Sequence, residues 1–413
     1  MNLYNYQQQI VDTAPNRYGL WLRMGVGKTA TALGLAKKRN EVPLIICPKS
    51  LSKNWQRECN VWGVENYLII TKEEFKRDWE ILERYNFIVF DEFHWFLGMK
   101  SAMHKKTKSY LAKHQPEYIY GLTATPILSS AWNVYCSELL LGHMPSYKWY
   151  KQTFFKTVKM GTYMKFGKIL PRMVDIPIPE NQHLLIEILN RIGVTLRMED
   201  VTEVPEYTFI REDFGLNAEQ RKAISELDDP TPIAFYTKSF QIENGTLKSD
   251  GYTENRFFKS EKCKRVIELI ENTEKLIVVC HHTLEIEMIA SKIKDKKVFK
   301  ITGKTNGDDR YDLQDIVANS DNCVLLINAA ISEGLNFPSM TTIVFYSMSW
   351  SIKDREQMEG RNQRRNDLRK NTYIDMVVLG GVDEGVYDCI KKKKDFNVEI
   401  YAIQNKKNSV VKK

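Results

Sequence analysis

The feature that most constrains this chain is a pattern that recurs along its first 140 or so residues. A short apolar run is followed by a glycine-rich or polar turn, and then by a stretch with helical periodicity. Strands that are apolar on both faces and separated by helix-length segments belong in a parallel sheet covered by helices. The predicted strands are 19–22, 44–47, 67–70, 87–90 and 118–120. A second stretch of the same kind begins near Lys262, with a helix over 263–271 and strands at 276–280, 298–301, 324–327, 342–346 and 373–379. Between the two, from about Leu141 to Asp213, aromatic and basic segments such as Tyr147-Lys148-Trp149-Tyr150 break the pattern. The expected fold class is α/β, two parallel-sheet lobes with a helical/aromatic insertion on the first. The expected division is 1–228, with the insertion at 141–213, and 229–413, which ends in a basic segment.

Composition agrees with two lobes. A length of 413 residues is too great for one ordinary core and suits two domains of about 150 to 200 residues. No run reaches the roughly 18 apolar residues of a membrane span, and the start Met-Asn-Leu-Tyr-Asn-Tyr lacks the pattern of a secretory leader. The expectation is a chain with no membrane partner, cytoplasmic, or nuclear if eukaryotic. A net charge of +8, from 60 Lys+Arg against 52 Asp+Glu, favours a polyanionic partner. The densest basic run, Lys391-Lys392-Lys393-Lys394, is equally well explained as a solvated helix face. The seven cysteines show no zinc spacing and are expected to be reduced and buried.

In an open parallel sheet, ligands bind beyond the carboxyl ends of the strands, and four segments there carry chemistry. After the first strand, Met24-Gly25-Val26-Gly27-Lys28-Thr29 has the make-up of a phosphate-binding loop. Its glycines let backbone N–H groups wrap phosphates, Lys28 would neutralise the β- and γ-phosphates, and the Thr29 hydroxyl would ligate Mg²⁺. The first glycine of the common pattern is absent, and Leu22 stands there. After 87–90 come Asp91, suited to the Mg²⁺ shell, and Glu92, suited to position or deprotonate an attacking water. After 118–120, Thr123 and Thr125 stand next to a proline-fixed turn and are candidates for relaying the state of the γ-phosphate into the lobe interface. In the second lobe Arg361 and Arg364, three apart, would share a helix face and reach the γ-phosphate. Read singly, these segments are also a glycine-rich turn, a capping acidic pair, a threonine-rich turn and a basic helix.

Taken together and in this order, they resemble superfamily 2 helicases, and more closely the Swi/Snf branch of double-stranded-DNA translocases. The resemblance implies RecA-like lobes, ATP and Mg²⁺ as cofactors, and duplex or branched DNA as partner. Leu3-Tyr4-Asn5-Tyr6-Gln7 is similar to the branch's adenine-reading motif, with Gln7 as reader, and its nucleotide loop also lacks the leading glycine. Pro48, Lys49 and Ser50, followed by Trp55 and Glu58, look like its DNA-backbone segment. Glu199-Asp200-Val201 and Leu216 to Gln220 resemble its inter-lobe connection. Thr302, Gly303 and Asn328 fall at its other DNA-facing motifs, and Gly334 and Gln357 at its second-lobe nucleotide motifs. Ile331-Ser332 and Asn366-Asp367 depart from the pattern and mark a divergent member. With six residues before Gln7, the expectation is a compact monomeric motor of the size seen in viruses and bacteria, with 141–213 open to a protein partner. A strand-separating helicase on single-stranded DNA or RNA stays open beside the translocase, and so does a scaffold that has lost hydrolysis.

Overall fold

In a computed structural model the described residues are 2–126, 131–165, 168–203, 206–229, 231–249, 251, 254–331, 335–362, 369–392 and 396. The chain divides into two compact units, Met1–Thr202 and Glu203–Lys413.

The first unit is built on β1 (Arg17–Leu22), β2 (Pro43–Cys47), β3 (Leu68–Thr71), β4 (Phe87–Asp91) and β5 (Tyr118–Leu122). These are the five strands expected from the apolar runs. An antiparallel ribbon of β6 (Phe155–Lys165) and β7 (Lys168–Pro177) follows, and then β8 (Gly193–Leu196). The sheet is six-stranded and wholly parallel, in the order β3-β2-β4-β5-β1-β8. Alternate side chains go to opposite cores: Leu44, Ile46, Ile88 and Phe90 to one face, and Ile45, Cys47, Phe87 and Val89 to the other. Both faces being buried is why each strand reads as an unbroken apolar run.

The second unit repeats the plan with β9 (Tyr207–Phe214), β12 (Lys275–Cys280), β13 (Lys297–Ile301), β14 (Cys323–Asn328), β15 (Thr342–Phe345) and β16 (Asn371–Val378). Two short pieces, β10 (Thr246–Leu247) and β11 (Arg256–Phe257), pair with each other. Its six-stranded sheet runs β13-β14-β12-β15-β16-β9, again wholly parallel. Helices cover both sheets, and each unit is a RecA-like α/β lobe.

Two expectations change. The stretch 141–213 is not one insertion. It holds the helix Tyr147–Phe154, the ribbon and the helix Gln182–Ile192, and then supplies β8 to the first sheet and β9 to the second. For the same reason the division falls at 202/203 rather than 228/229: β9 is hydrogen-bonded along its length to β16, which carries residues 203–228 into the second unit.

Candidate active site

All strands of the first sheet are parallel, so the residues after β1, β2, β4 and β5 gather at one edge. That edge holds Met24 to Thr29, Pro48 to Ser50, Asp91 with Glu92, and Thr123 with Thr125.

The loop after β1 has the shape its glycines permit. Gly25 (φ 76°) and Gly27 (φ 84°) are both in the left-handed region, which glycine enters without the strain that a Cβ brings. Gly27 opens the helix Lys28–Arg39, whose first N–H groups lack intrahelical partners and face an incoming anion. Both glycines are closely covered. A Cβ on Gly25 would lie 2.1 Å from Met198 Cε, and one on Gly27 would lie 2.2 Å from Gln7 Nε2.

Gln7 is 3% exposed and clamps the loop. Its Nε2 donates to the carbonyls of Val26 (3.3 Å) and Gly27 (3.4 Å), and its Oε1 accepts the Tyr4 N–H at 3.0 Å. The Tyr6 hydroxyl donates to the Val26 carbonyl at 2.7 Å. Lys28 Nζ rests on the Leu22 carbonyl at 3.0 Å, a contact it can exchange for a phosphate. Among the described residues the Thr29 hydroxyl has no protein partner.

Across this edge Asp91 ends β4. Its Oδ2 accepts the Trp55 indole N–H at 2.8 Å, and its Oδ1 accepts the Glu92 N–H at 2.9 Å. Burial, and then the Glu92 carboxylate beside it, hold the Asp91 carboxyl well above the usual range; Trp55 and Lys28 pull the other way. A divalent cation at this carboxylate would offset that penalty. With a loop shaped for phosphates and a hydroxyl without a partner, the residues present fit a Mg²⁺·nucleotide.

Glu92 itself takes a left-handed backbone, φ 48°, an uncommon conformation for a residue with a side chain. Its Oε2 lies 3.2 Å from His94 Nδ1, and the same nitrogen is 3.2 Å from Thr123 Oγ1. The Thr123 oxygen also accepts the Thr125 N–H at 3.1 Å. His94 and Thr123 are both buried. A chain of hydrogen-bonding groups therefore runs from Glu92 through His94 to the two threonines.

Of the segment expected to touch a DNA backbone, Pro48 is buried, Lys49 exposed and Ser50 half-buried. Lys49 and Ser50 lie in the 3-10 turn Lys49–Leu51 that opens the helix Ser52–Trp62.

In the second unit, Thr302 and Gly303 follow β13. Asn328 ends β14, and its Nδ2 donates to the His281 carbonyl at 2.7 Å. Gly303 and Asn328 line one cavity of about 640 Å³ together with His281, His282, Lys248 and Lys304. Gln357 is buried on the helix Ile352–Glu359. That helix stops at Glu359, so Arg361, expected on a helix face with Arg364, lies beyond its end. Arg361 lies in the 3-10 turn Gly360–Asn362, is 7% exposed, and donates from Nη1 to the Leu335 carbonyl at 2.8 Å. Arg364 and Gly334 lie outside the described residues.

Residues 261–366 match the family model described as the helicase conserved C-terminal domain. That stretch of the chain is therefore similar to the C-terminal domain of helicases. The motifs along the rest of the chain resemble those of the Swi/Snf branch of superfamily 2. A protein of Acanthamoeba polyphaga mimivirus, described by its name as an ATP-dependent RNA helicase, is 37% identical over 54 residues. That match spans 13% of this chain and 10% of the viral protein. The solved Sulfolobus solfataricus SWI2/SNF2 ATPase core in complex with dsDNA aligns over 95% of this chain and 91% of its own, at 18% identity and a TM-score of 0.41. A likeness that loose carries no weight for fold or function.

Sequence reasoning missed four contributors. His94 stands two residues after Glu92, so the buried end of that motif was in view. Trp55 was visible only as part of a resemblance. Tyr6 likewise stood only inside a quoted motif, and Met198 gave no signal; the role of each depends on contacts across 20 and more residues of chain.

Proposed function

We propose that this helicase-family chain is a DNA-dependent ATPase that couples hydrolysis to translocation on duplex or branched DNA. The observation that carries the reading is the gathering, at one sheet edge, of the loop Gly25 to Thr29, the pair Asp91 and Glu92, and the segment Pro48 to Ser50. Mg²⁺, when bound, would supply the positive charge that draws electrons from the scissile phosphate bond.

The chain's own residues have separable tasks. Backbone amides of the loop hold the phosphates, and Lys28 leaves the Leu22 carbonyl to join them. Asp91 and Thr29 would hold the metal. Glu92 orients the attacking water and takes its proton, while His94 keeps the Glu92 carboxylate aimed. Gln7 holds the loop and reads the adenine edge. Arg361 and Arg364 are our candidates for charge on the transferred phosphoryl group, with Gln357 and Gly334 beside the nucleotide. Lys49, Ser50, Thr302, Gly303 and Asn328 would grip DNA phosphates without reading sequence, so affinity should fall steeply with salt.

One observation favours a second reading. The antiparallel ribbon β6–β7, with paired residues from Phe155↔Pro177 to Lys165↔Lys168, is an element suited to parting strands, as a strand-separating helicase requires. Triplex displacement run beside a fork-unwinding assay decides between them. Displacement of the third strand without separation of the fork supports the translocase, and ATP-driven separation with no displacement overturns it.

A further inference from the structure

The buried contact between Trp55 and Asp91 links two parts of the sheet edge that the motifs treat separately. Trp55 is 0% exposed and lies on the helix Ser52–Trp62, which grows directly out of the turn holding Lys49 and Ser50. The join is stiff. The Leu51 N–H bonds to the Pro48 carbonyl at 2.9 Å, Ser52 Oγ is 3.6 Å from Cys47 Sγ, and β2 enters the turn without a loop. From this helix the indole reaches across to Asp91 Oδ2 at 2.8 Å.

The carboxylate then has two donors. One is its own neighbour, the Glu92 N–H, which moves with it; the other is Trp55, which moves with the helix. Among the described residues Trp55 is the side chain that hydrogen-bonds Asp91, so the helix sets the plane of that carboxylate. A buried indole N–H needs an acceptor. Many acceptors would meet that need, but here the acceptor is the one carboxylate expected to face the metal. The second tryptophan of the same helix, Trp62, instead donates to Glu58 Oε2 at 3.2 Å, away from the site.

We propose that Trp55 is a positioning residue through which a nucleic-acid phosphate held by Lys49 and Ser50 acts on the metal-holding carboxylate Asp91. This rests on the ATPase reading above. A phosphate drawn onto the turn shifts the first turn of the helix; the indole follows, and the Asp91 oxygens turn with it. Partners one step behind a metal ligand typically change metal affinity by about 10- to 100-fold when removed.

The test uses the full chain with Trp55→Phe, which keeps an aromatic filler and loses only the N–H, beside Trp62→Phe as the matched control. Equilibrium binding of a fluorescent ADP analogue is titrated with Mg²⁺, with and without a duplex oligonucleotide. For Trp55→Phe the expected result is nucleotide affinity without Mg²⁺ like that of wild type, a Mg²⁺ requirement raised about tenfold or more, and no shift of that requirement on adding duplex. Trp62→Phe should behave as wild type in all three. A purely packing role predicts a lower melting temperature with Mg²⁺ and duplex dependence intact, and that result overturns the proposal. Wild-type protein that binds Mg²⁺·nucleotide and hydrolyses ATP, with Trp55→Phe matching it, overturns this inference alone; wild type with neither property overturns both readings. Should Trp55→Phe not fold, wild-type protein labelled with ¹⁵N at its indoles supplies the answer by NMR. One solvent-protected indole signal must move both with duplex and with Mg²⁺·nucleotide, and the absence of such a signal rejects the coupling.

Discussion

Replacing Gly27 with alanine tests the shape of the nucleotide loop with one methyl group. Gly27 sits at φ 84°, and a left-handed backbone costs an L-residue about 1–2 kcal/mol. The new Cβ would also stand 2.2 Å from Gln7 Nε2, so the amide must abandon its bonds of 3.3 and 3.4 Å to Val26 and Gly27. Bonds that long are weak, and about 1 kcal/mol covers their loss. The sum is about 2–3 kcal/mol, or roughly 30- to 150-fold in a binding constant. Because the loop is free to relax away from its phosphate-holding shape, the cost should appear mainly as lost affinity. Gly63→Ala is the matched control: its φ is 62° and its Cβ would meet nothing within 4 Å, so it carries the backbone strain alone, at the end of the helix Ser52–Trp62. Calorimetric titration with nucleotide, beside thermal melts, separates the two. We expect Gly27→Ala to lose affinity with little change in melting, and Gly63→Ala to lose a few degrees of melting with affinity intact. Equal affinities for Gly27→Ala and wild type would refute the argument, as would equal losses in the two variants.

Thr123→Val removes the hydroxyl between His94 and the Thr125 N–H; steady-state kinetics should show kcat down about tenfold with nucleotide affinity retained, and an unchanged kcat counts against the relay. Burial pushes Glu285 from 4.5 up to about 7, so this group's contribution to stability is fullest below the unfolded value and is lost as pH rises through the folded one. Glu285→Gln cannot titrate, and urea midpoints should show it gaining about 3 kcal/mol on wild type between pH 4.5 and 8; a gap that does not vary with pH contradicts this. Lys262, 1% exposed, donates to Asp383 Oδ2 at 2.7 Å and Asn244 Oδ1 at 2.6 Å. Lys262→Met strands the Asp383 charge and should cost about 3–5 kcal/mol in urea unfolding; a loss under about 1 kcal/mol would mean the pair is not buried as described.

Much of this was legible before any coordinates. Strands β1 to β5 lie where the apolar runs do because a strand buried on both faces keeps its polar residues to its ends. The loop at Gly25 to Thr29 was legible for a local reason: its glycines, its lysine and the start of its helix all sit within a few residues. What escaped was set by distant partners. Strand β8 has only four residues and β9 is half exposed, with Phe209, Ile210 and Arg211 outward. As edge strands they lack the apolar run, and missing them blurred both the insertion and the boundary between units. The arginine helix was expected to continue past Glu359, but the chain turns there and the Arg361 guanidinium goes inward to Leu335. The Trp55–Asp91 bond joins residues 36 apart in sequence, and spacing alone does not announce it.

The reading as a whole stands on whether duplex DNA drives ATP turnover at the site around Lys28. Phosphate release should be followed for wild type and Lys28→Ala without nucleic acid, with duplex DNA, with single-stranded DNA and with RNA, at one fixed salt concentration. The account predicts that duplex stimulates wild type well beyond the single strands, while Lys28→Ala stays silent with every ligand and melts as wild type does. Turnover that ignores duplex, or that survives in Lys28→Ala, would contradict it.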